Sequence, residues 1–191
     1  MFSPPRIAQQ TATRGQTCLS ADLVTGWDFR KPSHQENMKK LIKETAPKLL
    51  ALCPPCTWAG GWFNLNQLYM SPEKVAEKQR LTMLFINFCC ELMEIQLASG
   101  NRVVFEHPKG SIAWKLPRVQ KLLQRMHVVE CDMCRYQLRI PKGQPIRKST
   151  KLLVSHANMK NLGRKCPGQH HPDHCRSPCC SWFPSTGRQC E

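Results

Sequence analysis

Residues 50–59 read LALCPPCTWA, with two cysteines on either side of two prolines at the end of an apolar run. Three chemistries fit that corner: half of a soft-metal knuckle, a disulfide, or a nucleophile on a rigid turn. Proline fixes its own φ, so the pair restricts where the Cys56 thiol points. Fifty positions later a second apolar run, RVVF, leads into Glu106-His107-Pro108. A thiol and a carboxylate at the ends of two strands suit attack on an electron-poor ring. The thiolate adds to carbon 6 of a cytosine, and the acid takes up charge at the ring nitrogen. Carbon 5 then becomes an enamine able to accept a methyl cation equivalent. A thiol used in this way needs a lowered pKa, which an electropositive pocket would supply. The plainer readings are a buried structural thiol at Cys56 and a surface carboxylate at Glu106. Cys53 with Cys56 as a zinc half-site also stays open.

Two further groups of residues carry chemistry. Cys131 and Cys134 in ECDMCRYQ have zinc half-site spacing, and CPGQHHPDHC adds Cys166, His170, His171, His174 and Cys175. Thiols and imidazoles together are what tetrahedral zinc prefers, although the spacings fit no finger pattern cleanly. The expected ligand set is Cys131, Cys134, Cys166, His170, His174 and Cys175; the alternative is a tail whose Cys and His are incidental. The second group is the basic loop RIPKGQPIRKSTK, with Arg139, Lys142, Arg147 and Lys148. With Trp58 and Trp62 after Cys56, it suits a phosphate backbone and an unstacked base, or else it is a solvated loop.

These residues must be positioned by regular elements. Residues 1–20 are polar and aperiodic and read as a flexible lead. SHQENMKKLIKETAP starts with a capping box, Ser33 and Glu36, and stops at Pro47; Met38, Leu41 and Ile42 share a face. KLLALC reads as a buried strand. A long helix opens with Ser71 as cap and Pro72 at the first position, and runs to Gly100. RVVF is the next strand, a third helix starts near Pro117, and HVVEC and KLLVS are two more strands. Alternating buried strands and helices predict an α/β fold, a Rossmann-like open sheet with helices on both faces. Ligands in such sheets bind beyond the carboxyl ends of the strands, where Cys56 and Glu106 stand. The predicted organisation is a lead over 1–20, an α/β domain over 21–163, and a Cys/His-rich basic tail over 164–191.

The chain has 191 residues, 28 Lys and Arg against 13 Asp and Glu, and a formal charge of +15. That balance favours a polyanion, most simply DNA or another nucleic acid. Twelve cysteines in a chain this long, several within apolar patterns such as INFCCELM, read as mostly reduced thiols rather than a secreted scaffold. No signal peptide or uninterrupted bilayer-crossing span is legible, so a nuclear or cytoplasmic location is expected, with no membrane partner.

PPCTWAG resembles the Pro-Cys loop of DNA cytosine-5 methyltransferases, and FEHP resembles their Glu-Asn-Val segment. TGWDF lies one helix and one strand upstream, where that family has an Asp close to the methyl donor. The stretch from about Gly26 to about Cys166 is similar to divergent methyltransferase-like segments of retroelement polyproteins, through GWDF, PPCT, EHP, RKST and KCPG in that order. The resemblance implies Cys56 as nucleophile, Glu106 as the residue engaging the base, and Asp28 and Pro55 beside S-adenosylmethionine. The chain departs from the family at Thr57, at Ala59-Gly60 and at His107. Its nearest counterpart to Gln-x-Arg-x-Arg is GQPIRKST, and no Phe-x-Gly-x-Gly loop precedes residue 26. The expectation is therefore a methyltransferase-like domain lacking the N-terminal half of the cofactor site, active or inactive. The rival expectation is a non-catalytic, zinc-containing nucleic-acid-binding protein of retroelement origin.

Overall fold

A computed structural model describes residues 6–56, 59, 69–139 and 143–168. Four strands form one open, mixed sheet in the order β1-β2-β4-β3. They are β1 (Leu49–Leu52), β2 (Arg102–Pro108), β3 (His127–Asp132) and β4 (Ser149–Val154). β1 and β2 run parallel, while β4 is antiparallel to both of its neighbours, β2 and β3. The helices are α1 (Arg6–Ala12), α2 (Pro32–Thr45), α3 (Pro72–Ala98) and α4 (Pro117–Leu123).

Local sequence explains the ends of these elements. The Ser71 side chain accepts from the Lys74 amide and Pro72 occupies the first turn, so α3 starts where an orphan amide finds an acceptor. Gly100 follows the helix at φ 70°, the left-handed conformation that glycine adopts at no steric cost. At α2 the expected Ser33–Glu36 box does not form. Pro32 takes the first helical position, Lys31 is the cap without a side-chain bond, and Glu36 pairs with Lys39 instead. The lead expected to lack structure contains α1, none of whose residues 7–12 is buried.

The core sits on one face of the sheet. Met38 and Ile42 of α2, Ile86, Phe88 and Met93 of α3, and Val119 and Leu122 of α4 share a cluster with Val103, Phe105 and Leu153 of the strands. Side chains alternate along β2, so Val103 and Phe105 enter that cluster while Val104 turns to the opposite face. There it meets Val129, Cys131, Leu152 and Val154, covered by Met159 and Leu162 of the short 3-10 helix Ala157–Leu162. Among the described residues, α2, α3 and α4 thus contribute to one face. The opposite face carries a 3-10 helix where a full helix was expected. Buried Gln96 ties α3 to the start of both parallel strands, donating from Nε2 to the Pro47 and Arg102 carbonyls.

α3, with 27 residues and a mean hydropathy of 1.4 in its most apolar window, is long and apolar enough to cross a bilayer by length and composition. This corrects the expectation that no such span exists. Thr82, Ile86, Cys90, Met93 and Gln96 on it are buried in the protein. A core helix meets the same criteria.

Candidate functional site

The register of β1 and β2 creates the site. Leu52 pairs with Phe105, so the chain leaves β1 at Cys53 level with Glu106. Pro54-Pro55 then carry it to Cys56. The Ala59 amide donates to the Cys56 carbonyl at 3.1 Å, and the Ile112 amide donates to the Ala59 carbonyl at 2.9 Å. The main chain behind Cys56 is thereby anchored to the 3-10 turn Ile112–Lys115, which sequence reading missed. Glu106 is not beyond its strand, as expected, but inside it, because β2 continues to Pro108 to pair with Thr150 of β4.

The antiparallel direction of β4 brings its beginning to the end of β2. Lys148, one residue before β4, thus has its Nζ 3.9 Å from Glu106 Oε1. The Cys56 thiol feels both charges. Cys56, Glu106 and Lys148, drawn from three separate strand ends, form one electrostatic neighbourhood. Burial pushes the Cys56 thiol up, Lys148 pulls it down and Glu106 opposes Lys148. The lowered thiol pKa expected from the sequence is therefore overturned, because desolvation outweighs the single ammonium. Protein packed around Cys53, an exposed residue, and the Glu106 charge push its thiol up. Burial also raises the Glu106 carboxyl against the pull of Lys148, and its Oε1 is buried with no hydrogen-bond partner.

His107 lies on the other face of β2, fully buried at 0% exposure. Its ring stacks on Phe105 at 5.9 Å between centroids and meets Trp114 edge-on at 6.4 Å. Neither ring nitrogen has a partner among the described residues, and burial, aided by Lys148, drops its pKa to about 4. It is a neutral packing group beneath the site.

The remaining expected residues are dispersed. Asp28 is taken by Arg30, whose Nε reaches Oδ1 at 2.8 Å and whose terminal nitrogen reaches Oδ2 at 2.9 Å. No interaction of Asp28 among the described residues reaches Cys56 or Glu106, and Pro55 is exposed. Both carboxylate oxygens of Asp28 accept from the Arg30 guanidinium, on the residue that the resemblance places beside S-adenosylmethionine. Arg139 donates to the Gly143 carbonyl, and Arg147 lies 3.7 Å from Asp132 Oδ1. Beside Arg147, a cleft of about 140 Å³ is lined in part by Lys109, Glu130, Ser149 and Lys165. Lys142, Trp58 and Trp62 lie outside the described residues.

Of the expected zinc set, the described residues include Cys131, Cys134 and Cys166. Cys131 is buried in the apolar cluster with Val129 and Leu152, on the face where alternation along β3 puts it. Cys134 instead shares a side-chain hydrogen bond with Cys166. Among the described residues no group of three or more His, Cys, Asp or Glu could hold a metal ion. His170, His174 and Cys175 lie outside the described residues. Comparison with protein-family models, with curated proteins and with solved structures returns no match.

Proposed function

We propose that this chain is a nucleic-acid-binding domain of the DNA cytosine-5 methyltransferase type, in a Rossmann-like sheet, whose Cys56 adds covalently to carbon 6 of a cytosine. One observation carries the reading: the Cys56 thiol lies within the electrostatic reach of Lys148 and of Glu106, whose buried Oε1 faces that ammonium and has no hydrogen-bond partner. An orphan acceptor inside protein normally finds a ligand donor, and a cytosine edge presents an amino group and a ring nitrogen there. Burial raises the Glu106 carboxyl, which eases uptake of a proton that it can hand to the ring nitrogen as the sulfur adds. Carbon 5, now nucleophilic, takes a proton from water. The hydroxide so formed removes the original carbon 5 hydrogen, the Cys56 thiolate is expelled, and the ring-nitrogen proton returns to Glu106, which restores the base. Lys148 favours the thiolate through this cycle. S-adenosylmethionine, if bound, would supply a methyl group in place of the proton.

The cycle predicts exchange of the carbon 5 hydrogen of cytosine in DNA for solvent deuterium, a readout that needs no methyl donor. The wild-type chain should exchange it, and Cys56→Ser should not, at nearly unchanged DNA affinity. Exchange that survives in Cys56→Ser removes Cys56 as nucleophile. DNA binding without exchange leaves the second reading, a non-catalytic binding protein, which the raised Cys56 pKa favours.

A further inference from the structure

Residues 162–168 are held against the turn that follows β3. The Tyr136 hydroxyl donates to the Leu162 carbonyl at 2.6 Å, and the Arg164 guanidinium lies 5.5 Å from the Tyr136 ring centroid. The Asp132 amide donates to the Arg164 carbonyl at 2.9 Å. In return the Cys166 amide donates to Asp132 Oδ2 at 2.7 Å. These contacts hold the strap that carries Cys166 against the turn Met133–Tyr136 that carries Cys134, and the two side chains, distant in sequence, interact. Thiols on neighbouring backbone segments can be bridged where their Cα atoms come within about 7 Å.

We propose that Cys134 and Cys166 form a reversible disulfide, made by exchange with an oxidised small thiol such as glutathione disulfide, that latches residues 162–168 to the β3 edge. Cys134, the more exposed of the two, reacts first. Its thiolate attacks one sulfur of glutathione disulfide and expels a glutathione thiolate. The Cys166 thiolate then attacks the Cys134 sulfur of the mixed disulfide and expels the second. The protein loses two hydrogens and is oxidised; glutathione disulfide gains them and leaves as two thiols. The latch reaches the loop before β4, because the Met133 amide donates to the Lys148 carbonyl at 3.0 Å and Ser149 Oγ donates to Asp132 Oδ1 at 2.6 Å. The proposal does not depend on the role of Cys56.

The test is to incubate the full chain in glutathione buffers of rising oxidised fraction, trap free thiols, and map the linked peptides by mass spectrometry. The folded protein should yield the Cys134–Cys166 link before any other pair, at about tenfold the yield found in urea, since folding supplies the local concentration. The link should be absent from Cys134→Ser and Cys166→Ser, and hydrogen exchange at the Met133 and Cys166 amides should slow on oxidation. Preferred linkage of either residue to another cysteine, or no advantage of folded over unfolded chain, overturns the proposal. The comparison in wild-type protein decides the matter even where a serine variant fails to fold.

Discussion

Lys148 decides how usable the Cys56 sulfur is. Burial alone would leave a thiol that ionises reluctantly, and the ammonium is the group that opposes it. Lys148→Met should therefore shift the pH profile of Cys56 alkylation upward, measured by iodoacetamide labelling and peptide mapping. An unshifted profile would show that the ammonium does not reach the sulfur. His107 makes a separate prediction about stability. Its folded pKa of about 4 lies below the ordinary 6.5, so the unfolded chain binds this proton first as pH falls. The stability tied to the neutral ring is complete above the ordinary value and drains away as pH falls toward 4. The full effect is about 3 kcal/mol. Urea unfolding across that window should show the loss in wild type and a flatter profile in His107→Gln. Equal slopes in the two proteins would mean that another group carries the proton.

At the scale of elements, Gln96 clamps α3 to the beginnings of β1 and β2, the strands whose far ends carry Cys53 and Glu106. Gln96→Met keeps the volume but leaves two carbonyls without their donor. A loss of about 1–3 kcal/mol, measured by urea unfolding at an unchanged m-value, is expected. The apolar runs KLLALC, RVVF, HVVEC and KLLVS already marked all four strands, and Ser71-Pro72 marked the start of α3, because those signals are local. Strand order and direction were not legible. Whether β4 lies between β2 and β3, and antiparallel, depends on packing far along the chain, so the meeting of Lys148 with Glu106 was hidden. CxxC spacing likewise says nothing of alternation along a strand, which places Cys131 in an apolar cluster while Cys134 stands on the turn. At α2, Ser33 and Glu36 had the spacing of a cap, but Pro32 before them fitted the first turn better.

For the whole molecule the dominant property is charge, +15 over 191 residues. Much of it on the described surface is partly neutralised: Glu130 alone draws Lys109, Lys151 and Lys165, and Asp132 draws Arg147. The carboxylates organise the cations along the rim that follows β2 and precedes β4. A phosphate backbone crossing that rim would meet Arg139, Arg147, Lys109 and Lys165 and release its counterions. Each neutralised phosphate adds about 0.9 to the slope of log affinity against log salt on duplex DNA, so these four predict a slope of about −3.6. Fluorescence anisotropy on a labelled duplex over a salt series measures it. On the proposal that these side chains meet phosphates rather than base edges, Arg139→Gln with Arg147→Gln should weaken binding alike on unrelated sequences and reduce the slope by about 2. Binding that ignores salt, or a double variant with the wild-type slope, would take the nucleic acid off this rim. Covalent chemistry at Cys56 would then have no means of holding its base.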